Sequence, residues 1–319
     1  MSLDENIFAC FAQRPYYLGS FFWLVYDSEG SQYFEELTKQ EEYYLTRTEC
    51  HILQMNASEI ISQAAMTKDR RVRLVELGAG TAVKTSILLA ATLKYQGAPV
   101  DYRPIDISET ALDEAQVTLQ NFVPDVRITS QVSNFLTDGL ELPKFDGCTL
   151  IVYIGSTIGN FTPDEAQNIL HHVHEQLQPG DALLLGVDMK KDPNIIVRAY
   201  DDAGGINNSF NLHLLRRLNK DFGYNFNLEQ FRYLTVWNEA ESRREAHIES
   251  LCSQQVQCKH FPDKSIEFEK GERINIASSY KYTKERIQTL LSNAGFHFEN
   301  VWNDEKNWYS VVLARIPDK

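Results

Sequence analysis

The stretch RVRLVELGAGTAVKTS, residues 71–86, reads as a short strand, a glycine turn and the opening of a helix. Val72, Leu74, Val75 and Leu77 supply the strand's apolar residues, and Gly78 and Gly80 mark the turn. Glycine there permits backbone conformations and close approaches that a Cβ forbids. In open α/β sheets, ligands sit at this kind of strand-to-helix turn. Outward from it, apolar runs alternate with helix-like segments. DYRPIDI (101–107), VRITSQV (126–132), CTLIVYIG (148–155) and DALLLGVD (181–188) are strand candidates, with helices expected near 83–96, 109–121 and 163–177. That alternation predicts βαβ units and a parallel sheet. The 163–177 helix is the best marked. Thr162 offers an N-cap hydroxyl, Pro163 the first helical position and Glu165 a capping-box carboxylate, while Pro179-Gly180 supplies the stop.

After Asp188 the pattern changes. Residues 193–222 read as two helices, and residues 231–277 alternate as short strands: FRYLTVW, REAHIESL, QQVQCKHF and SIEFEK. Helix TKERIQTLLSNAGF and two strands near 297–302 and 308–315 then restore the core pattern. The expected fold class is α/β, a Rossmann-like sheet with an inserted α+β domain. Residues 51–188 plus 278–319 form the expected core, and residues 1–50 plus 189–277 the second domain.

Composition narrows the function classes. The 319 residues are 43% hydrophobic and 24% charged, an ordinary globular balance. No apolar run approaches the ~20 residues of a membrane span, and the N-terminus lacks an export pattern. Five scattered cysteines form no CxxC pair, so neither disulfides nor a metal site is expected, and a cytoplasmic setting fits. Net charge is −13, and the basic residues are scattered, clustering no further than short pairs such as Arg70-Arg71, Arg216-Arg217 and Arg243-Arg244. These pairs read as solvated surface rather than a phosphate-binding face. Nucleic acid and membrane are not expected partners; a monomer with a small-molecule substrate is.

The glycine turn has competing readings. A P-loop needs glycine directly before its Lys-Thr pair, and a dinucleotide fingerprint needs a third glycine. Val83 occupies both places. A bland structural turn remains a further reading. A loop for S-adenosylmethionine, which carries no phosphate, needs the first glycines and an acid ahead of them, here Glu76. The next strand ends in Asp106, where a carboxylate can accept from ribose hydroxyls. The third ends in Ser133-Asn134-Phe135, an amide and a ring suited to an adenine. Three such strand ends in succession favour the methyltransferase reading.

The fourth strand leads into YIGSTIGNFTP (153–163). Together with VYDSEGSQYFEELTKQEEYYLTRTE, VELGAGTAVKT, LQPGDALLLGVDMKKD, AYDDAGGINNSFN and SSYKYT, it makes the chain resemble the ergothioneine-pathway histidine α-N-methyltransferases and their tryptophan and dimethylallyltryptophan relatives, over nearly its whole length. The resemblance implies a class I methyltransferase fold and S-adenosylmethionine as cofactor. It implies that Gly78, Lys84, Asp106, Asn134 and Phe135 line the cofactor site, beside the loop's Gly80. Relatives carry aspartate at Asn134, whose amide carbonyl can still accept from adenine. Tyr43, Asn160 and Tyr200 are implied to hold the substrate's amino and carboxylate groups, with Tyr26 alongside and Ser279 by the substrate side chain.

The departures bear on the substrate. Histidine-specific members carry a glutamate at the position of Ala277, bonding the imidazole, and a methionine at that of Ala246. A site that loses such a partner loses much of its preference for a polar ring. The expected substrate is therefore an aromatic amino acid with a larger side chain, tryptophan first and phenol or modified indole next. The alternatives are histidine, held by Ser278 or Ser279, and a non-catalytic cofactor-binding protein. Methyl transfer requires a neutral amine about 3 Å from the methyl carbon and in line with the breaking bond. Positioning groups suffice, with the amine's proton lost to water or relayed through Tyr26 or Tyr43. The trio His171, His172 and His174 reads as surface, and Asp201-Asp202 as helix-end hydrogen bonding.

Overall fold

Strands Cys148–Tyr153 and Ala182–Asp188 have no exposed residue, and they run side by side in the middle of an eight-stranded sheet. A parallel strand covered on both faces needs an unbroken apolar run, which these sequences supply. The computed structural model describes residues 2–80, 82–134 and 139–317.

The chain begins with α1 (Leu3–Ala9), β1 (Tyr16–Tyr17), a 3₁₀ turn (Gly19–Val25), α2 (Ser28–Thr38) and α3 (Tyr44–Ala65). The alternating part follows as β2 (Val72–Leu77), α4 (Val83–Gln96), β3 (Val100–Asp106), α5 (Glu109–Phe122), β4 (Val126–Ile128), β5 (Gln131–Val132), β6 (Cys148–Tyr153), α6 (Pro163–Glu175) and β7 (Ala182–Asp188). Next come α7 (Pro193–Ala199), α8 (Ile206–Phe222), β8 (Phe231–Asn238), β9 (Arg243–Ser250), β10 (Gln254–Gln257), β11 (Ser265–Phe268) and β12 (Arg273–Tyr280). The end is α9 (Lys284–Asn293), β13 (His297–Asn303) and β14 (Tyr309–Arg315). Two compact units result: Met1–Tyr44 with Lys191–Tyr280, and Leu45–Lys190 with Lys281–Lys319. The boundaries drawn from sequence stood at 50/51, 188/189 and 277/278; β12 runs unbroken across the last of these.

In the sheet unit the order is β13-β14-β7-β6-β2-β3-β4, with β5 also on β3. The inner pairs are parallel, while β14 is antiparallel to both neighbours. This is the expected α/β class. The expected strand 126–132 is two short pieces. Their pairing on β3 skips from Tyr102 to Ile105, around Pro104, which has no N–H for the ladder. Thr162 and Glu165 form the anticipated capping box on α6.

The inserted unit holds the sheet β1-β12-β9-β8 and the hairpin β10-β11. Its core joins Leu214, Leu215 and Leu218 of α8 to Ile248 of β9 and to Ile274 and Ile276 of β12. No described helix is long and apolar enough to cross a membrane.

Candidate active site

In the sheet unit, the turn after β2 is held from below. Gly78 and Gly80 have φ of 72° and 51°, the left-handed region that explains glycine at each. The Gly80 N–H donates to Asp106 Oδ2 at 3.0 Å, and the Ser108 N–H donates to Oδ1 at 2.9 Å. The Asp106 carboxylate thus ties the end of β3 to the glycine turn. Each oxygen keeps a second lone pair for a ribose hydroxyl. Glu76 is buried under the turn, accepting from Thr85 Oγ1 at 2.5 Å and from the Tyr102 hydroxyl. Burial pushes its pKa up to about 7, against the pull of those hydrogen bonds. Its role is to staple β2 to the start of α4.

Lys84 does not face the turn as a P-loop lysine would. Its Nζ lies 2.5 Å from Glu49 Oε2. Burial lowers the Lys84 pKa, but the charge of Glu49 and its hydrogen bond raise it more, so the ammonium stays charged. Glu49, on α3 and fully buried, is the residue that sequence reasoning missed. It also accepts from the Gly155 N–H at 2.8 Å and from the Tyr309 hydroxyl at 2.7 Å. Gly186 makes room for it. A Cβ there would stand 2.0 Å from Glu49 Oε1, so glycine inside this central strand was the one available signal.

The loop after β6 is fixed at three points. Glu49 holds Gly155, the Asp188 N–H donates to Ser156 Oγ at 3.0 Å, and the Tyr282 hydroxyl donates to the Ile158 carbonyl at 3.4 Å. Asn160 ends a 3₁₀ turn, Thr157–Asn160, and is exposed to solvent. Asp188 also pairs with Lys281 at 2.8 Å, both side chains fully buried. Ser133 donates its N–H to the Asp106 carbonyl at 3.0 Å, and Asn134 follows it. Phe135 lies outside the described residues.

In the inserted unit, aromatic rings form a continuous series. Tyr26 meets Phe34 edge-on at 5.9 Å, Phe34 meets Tyr43 at 6.3 Å, and Tyr43 meets Tyr200 at 5.7 Å and 90°. Tyr43 and Tyr200 are both buried and Tyr26 half-buried. The Arg244 guanidinium stands 4.0 Å over the Tyr200 ring. Arg244 is only 4% exposed, which overturns the reading of Arg243-Arg244 as a solvated pair. Alternation along β9 explains the error: two adjacent arginines point to opposite faces, and one of them must go inward. Asp202 caps α8, accepting from the N–H groups of Ile206 at 2.7 Å and Asn207 at 2.8 Å. Burial raises its pKa, and these bonds bring it below the usual carboxylate range.

The register pairs Ala277 of β12 with Ala246 of β9, and Ser279 with Arg244. These four share a face, the one that carries Ile248. Ser278 pairs with Glu245 and belongs to the opposite face.

The arrangement suits a ribose-bearing cofactor without phosphates, since the Asp106 carboxylate keeps acceptor capacity and Lys84 is engaged by Glu49. A sequence profile of the family described as histidine-specific, S-adenosylmethionine-dependent methyltransferases matches residues 3–316. The chain is 34% identical over 289 residues to the histidine N-alpha-methyltransferase of Mycobacterium tuberculosis, covering 91% of this chain and 88% of that one. It is 30% identical over 308 residues to a 4-dimethylallyltryptophan N-methyltransferase of Epichloe festucae var. lolii, covering 88% and 86%. Among solved structures, an S-adenosylmethionine-dependent methyltransferase from Clostridium acetobutylicum shares 12% identity with a TM-score of 0.48, over 83% of this chain and 92% of that one.

Proposed function

The chain belongs to the family of histidine-specific, S-adenosylmethionine-dependent methyltransferases, and from that premise we propose that it methylates the α-amino nitrogen of a free aromatic amino acid, histidine foremost. The likeness over nine-tenths of the chain to a histidine N-alpha-methyltransferase supports histidine. The sequence-based preference for tryptophan thus becomes the second reading, and one observation favours it. Ala246 and Ala277 pair across two strands, two small side chains at positions where the resemblance implies larger ones in histidine-specific members.

The observation that carries the amino-acid reading is the buried edge-to-face pair Tyr43–Tyr200, set in an aromatic series with Tyr26. Two phenols fixed by ring packing lose little freedom on binding a zwitterion, so their hydrogen bonds to its carboxylate and ammonium are pre-organised. Asn160, in the sheet unit, is proposed to offer its amide to the amino acid. In the cofactor site, Asp106 accepts from ribose hydroxyls, Asn134 accepts from adenine, Gly78 and Gly80 keep the floor open, and Lys84 is held as a fixed charge. Phe135 is the proposed ring against the base. When bound, S-adenosylmethionine supplies a methyl on a sulfonium, a leaving group that needs no protonation. What remains for the protein is to hold a neutral amine in line, worth several orders of magnitude in rate. Tyr26 or Tyr43 relays the departing ammonium proton to water. Ser279 lies by the substrate side chain.

The test is incubation with S-adenosylmethionine and each aromatic amino acid, reading the mass gained per methyl group. Turnover on histidine above all others supports the first reading, and turnover on tryptophan the second. Cofactor binding without turnover on any amino acid rejects both.

A further inference from the structure

The inserted sheet carries four arginines whose surroundings differ in one respect. Arg232 and Arg273 pair with Glu249, and Arg243 pairs with Glu245. Arg244 is the most buried of them, yet no carboxylate among the described residues pairs with it. Its Nε donates to Thr235 Oγ1 at 2.9 Å, and one Nη donates to the Tyr233 hydroxyl. Tyr233 in turn donates to the Tyr200 carbonyl at 2.9 Å. The guanidinium is therefore held over the Tyr200 ring by neutral groups. Two of its five N–H donors are used, and the others have no partner among the described residues.

A buried cation with unused donors is expensive to keep unless something meets it. Its position indicates what does. Arg244 shares a face with Ala246, two residues along β9, and its cross-strand neighbour is Ser279. The opposed alanines form the adjoining rung. A ring seated over two alanines would present its edge to a group that only donates hydrogen bonds.

We infer that Arg244 reads the substrate side chain, donating to an acceptor atom on its ring. This rests on the reading of the chain as an aromatic amino-acid N-methyltransferase, and it narrows that class. The rings that qualify carry an acceptor: the unprotonated nitrogen of neutral imidazole, or a phenolic oxygen. Indole N–H only donates and finds no partner here, so Arg244 weighs against the tryptophan reading that the two alanines favour. The recognition is opposite in polarity to a carboxylate that accepts from the ring.

The experiment compares the full chain with Arg244→Met, which keeps the aliphatic length, and Arg244→Lys, which keeps the charge. Steady-state kinetics on histidine, tyrosine, phenylalanine and tryptophan are read as ratios, so that a general loss of folded protein cancels. Thermal shifts with imidazole, phenol or indole as free ring probes give a readout that needs no turnover. The expected result is that kcat/KM for histidine over tryptophan, and for tyrosine over phenylalanine, falls at least tenfold in Arg244→Met. The affinity for S-adenosylmethionine stays unchanged, and Arg244→Lys restores part of the ratio. An equal loss on every amino acid overturns the inference: with a lowered unfolding midpoint it assigns Arg244 to support of Tyr200, and with an unchanged midpoint to the substrate carboxylate. If the wild-type chain methylates no amino acid, the functional reading fails separately and the ring probes decide. Protection by imidazole or phenol that Arg244→Met abolishes upholds the inference; equal protection by indole, or none by any ring, overturns it.

Discussion

The Glu49 carboxylate and the Lys84 ammonium lie 2.5 Å apart, and that carboxylate also receives the backbone N–H of Gly155. One buried acid thus links the helix after the glycine turn to the loop that ends in Asn160. Removing one partner of a buried pair strands the other, at about 3–5 kcal/mol. Lys84 keeps some solvent access, so stranding it by removing Glu49 costs the lower end of that range. Glu49→Ala is expected to destabilise the protein by about 3 kcal/mol and to weaken cofactor binding. Glu49→Ala with Lys84→Met should cost less than the sum of the two. Denaturant unfolding of the four-member cycle measures this, and additive losses would reject the coupling. Gly186→Ala, whose methyl would displace the same carboxylate, should reproduce the Glu49 phenotype.

Glu76 gives a pH signature. A carboxyl whose folded pKa is raised binds its proton more tightly when folded. It therefore stabilises the fold below its unfolded value near 4.5, and that contribution disappears as the pH rises through about 7. Relative to Glu76→Gln, which carries no charge, the wild-type protein should lose about 3 kcal/mol of stability across that window. Parallel unfolding curves for the two proteins at several pH values would refute it.

Tyr43→Phe and Tyr200→Phe preserve the edge-to-face pair and remove one hydroxyl each. A hydrogen bond to a charged group is worth roughly 1.5–3 kcal/mol. Each change should lower kcat/KM for the amino acid by about tenfold to a hundredfold, with S-adenosylmethionine affinity unaltered. Calorimetric titration of the cofactor beside amino-acid kinetics makes the distinction. A parallel loss of cofactor binding would place these tyrosines outside the substrate site.

Ala277→Glu puts a carboxylate on the face that holds Arg244. It should pair with that guanidinium and offer an acceptor to an imidazole N–H. Histidine over tyrosine should then rise by about tenfold or more, since a buried hydrogen-bonding partner discriminates more strongly than shape. Competition between the two substrates in one reaction reads the ratio directly. An unchanged ratio would remove Ala277 from the pocket.

Much of the fold was legible because its sheet is parallel and doubly covered. β6 and β7 are apolar from end to end, and the capping box at Thr162 and Glu165 forms as written. Period and turn chemistry are local properties, and they fixed the strand ends that carry Gly78, Asp106 and Asn134. What escaped was non-local. The break between β4 and β5 originates in Pro104 on a neighbouring strand. Glu49 is surrounded by charged and polar residues in sequence, and its partners Lys84, Gly155 and Tyr309, like the Gly186 that leaves it room, are distant along the chain. Arg244 differs from Arg243 by a single step of β alternation, which no composition count detects. The β12 strand continues past Ala277 because its partner β9 does, down to the pairing of Tyr280 with Arg243.

One last feature bears on how such an enzyme changes over evolutionary time. The chain leaves the sheet unit after Lys190 and returns at Lys281, and the two crossings are laced together. The Tyr282 N–H donates to the Asp188 carbonyl at 3.0 Å, and the Lys190 N–H to the Tyr282 carbonyl at 2.7 Å. Exit and entrance are one doorway. Tyr200, Arg244, Ala246, Ala277 and Ser279 all belong to the excursion between them. A segment whose two ends are already joined can be reshaped, lengthened or traded with little loop-closure penalty. Selection for a new amino acid can therefore work on one continuous cassette while the catalytic sheet is inherited unchanged.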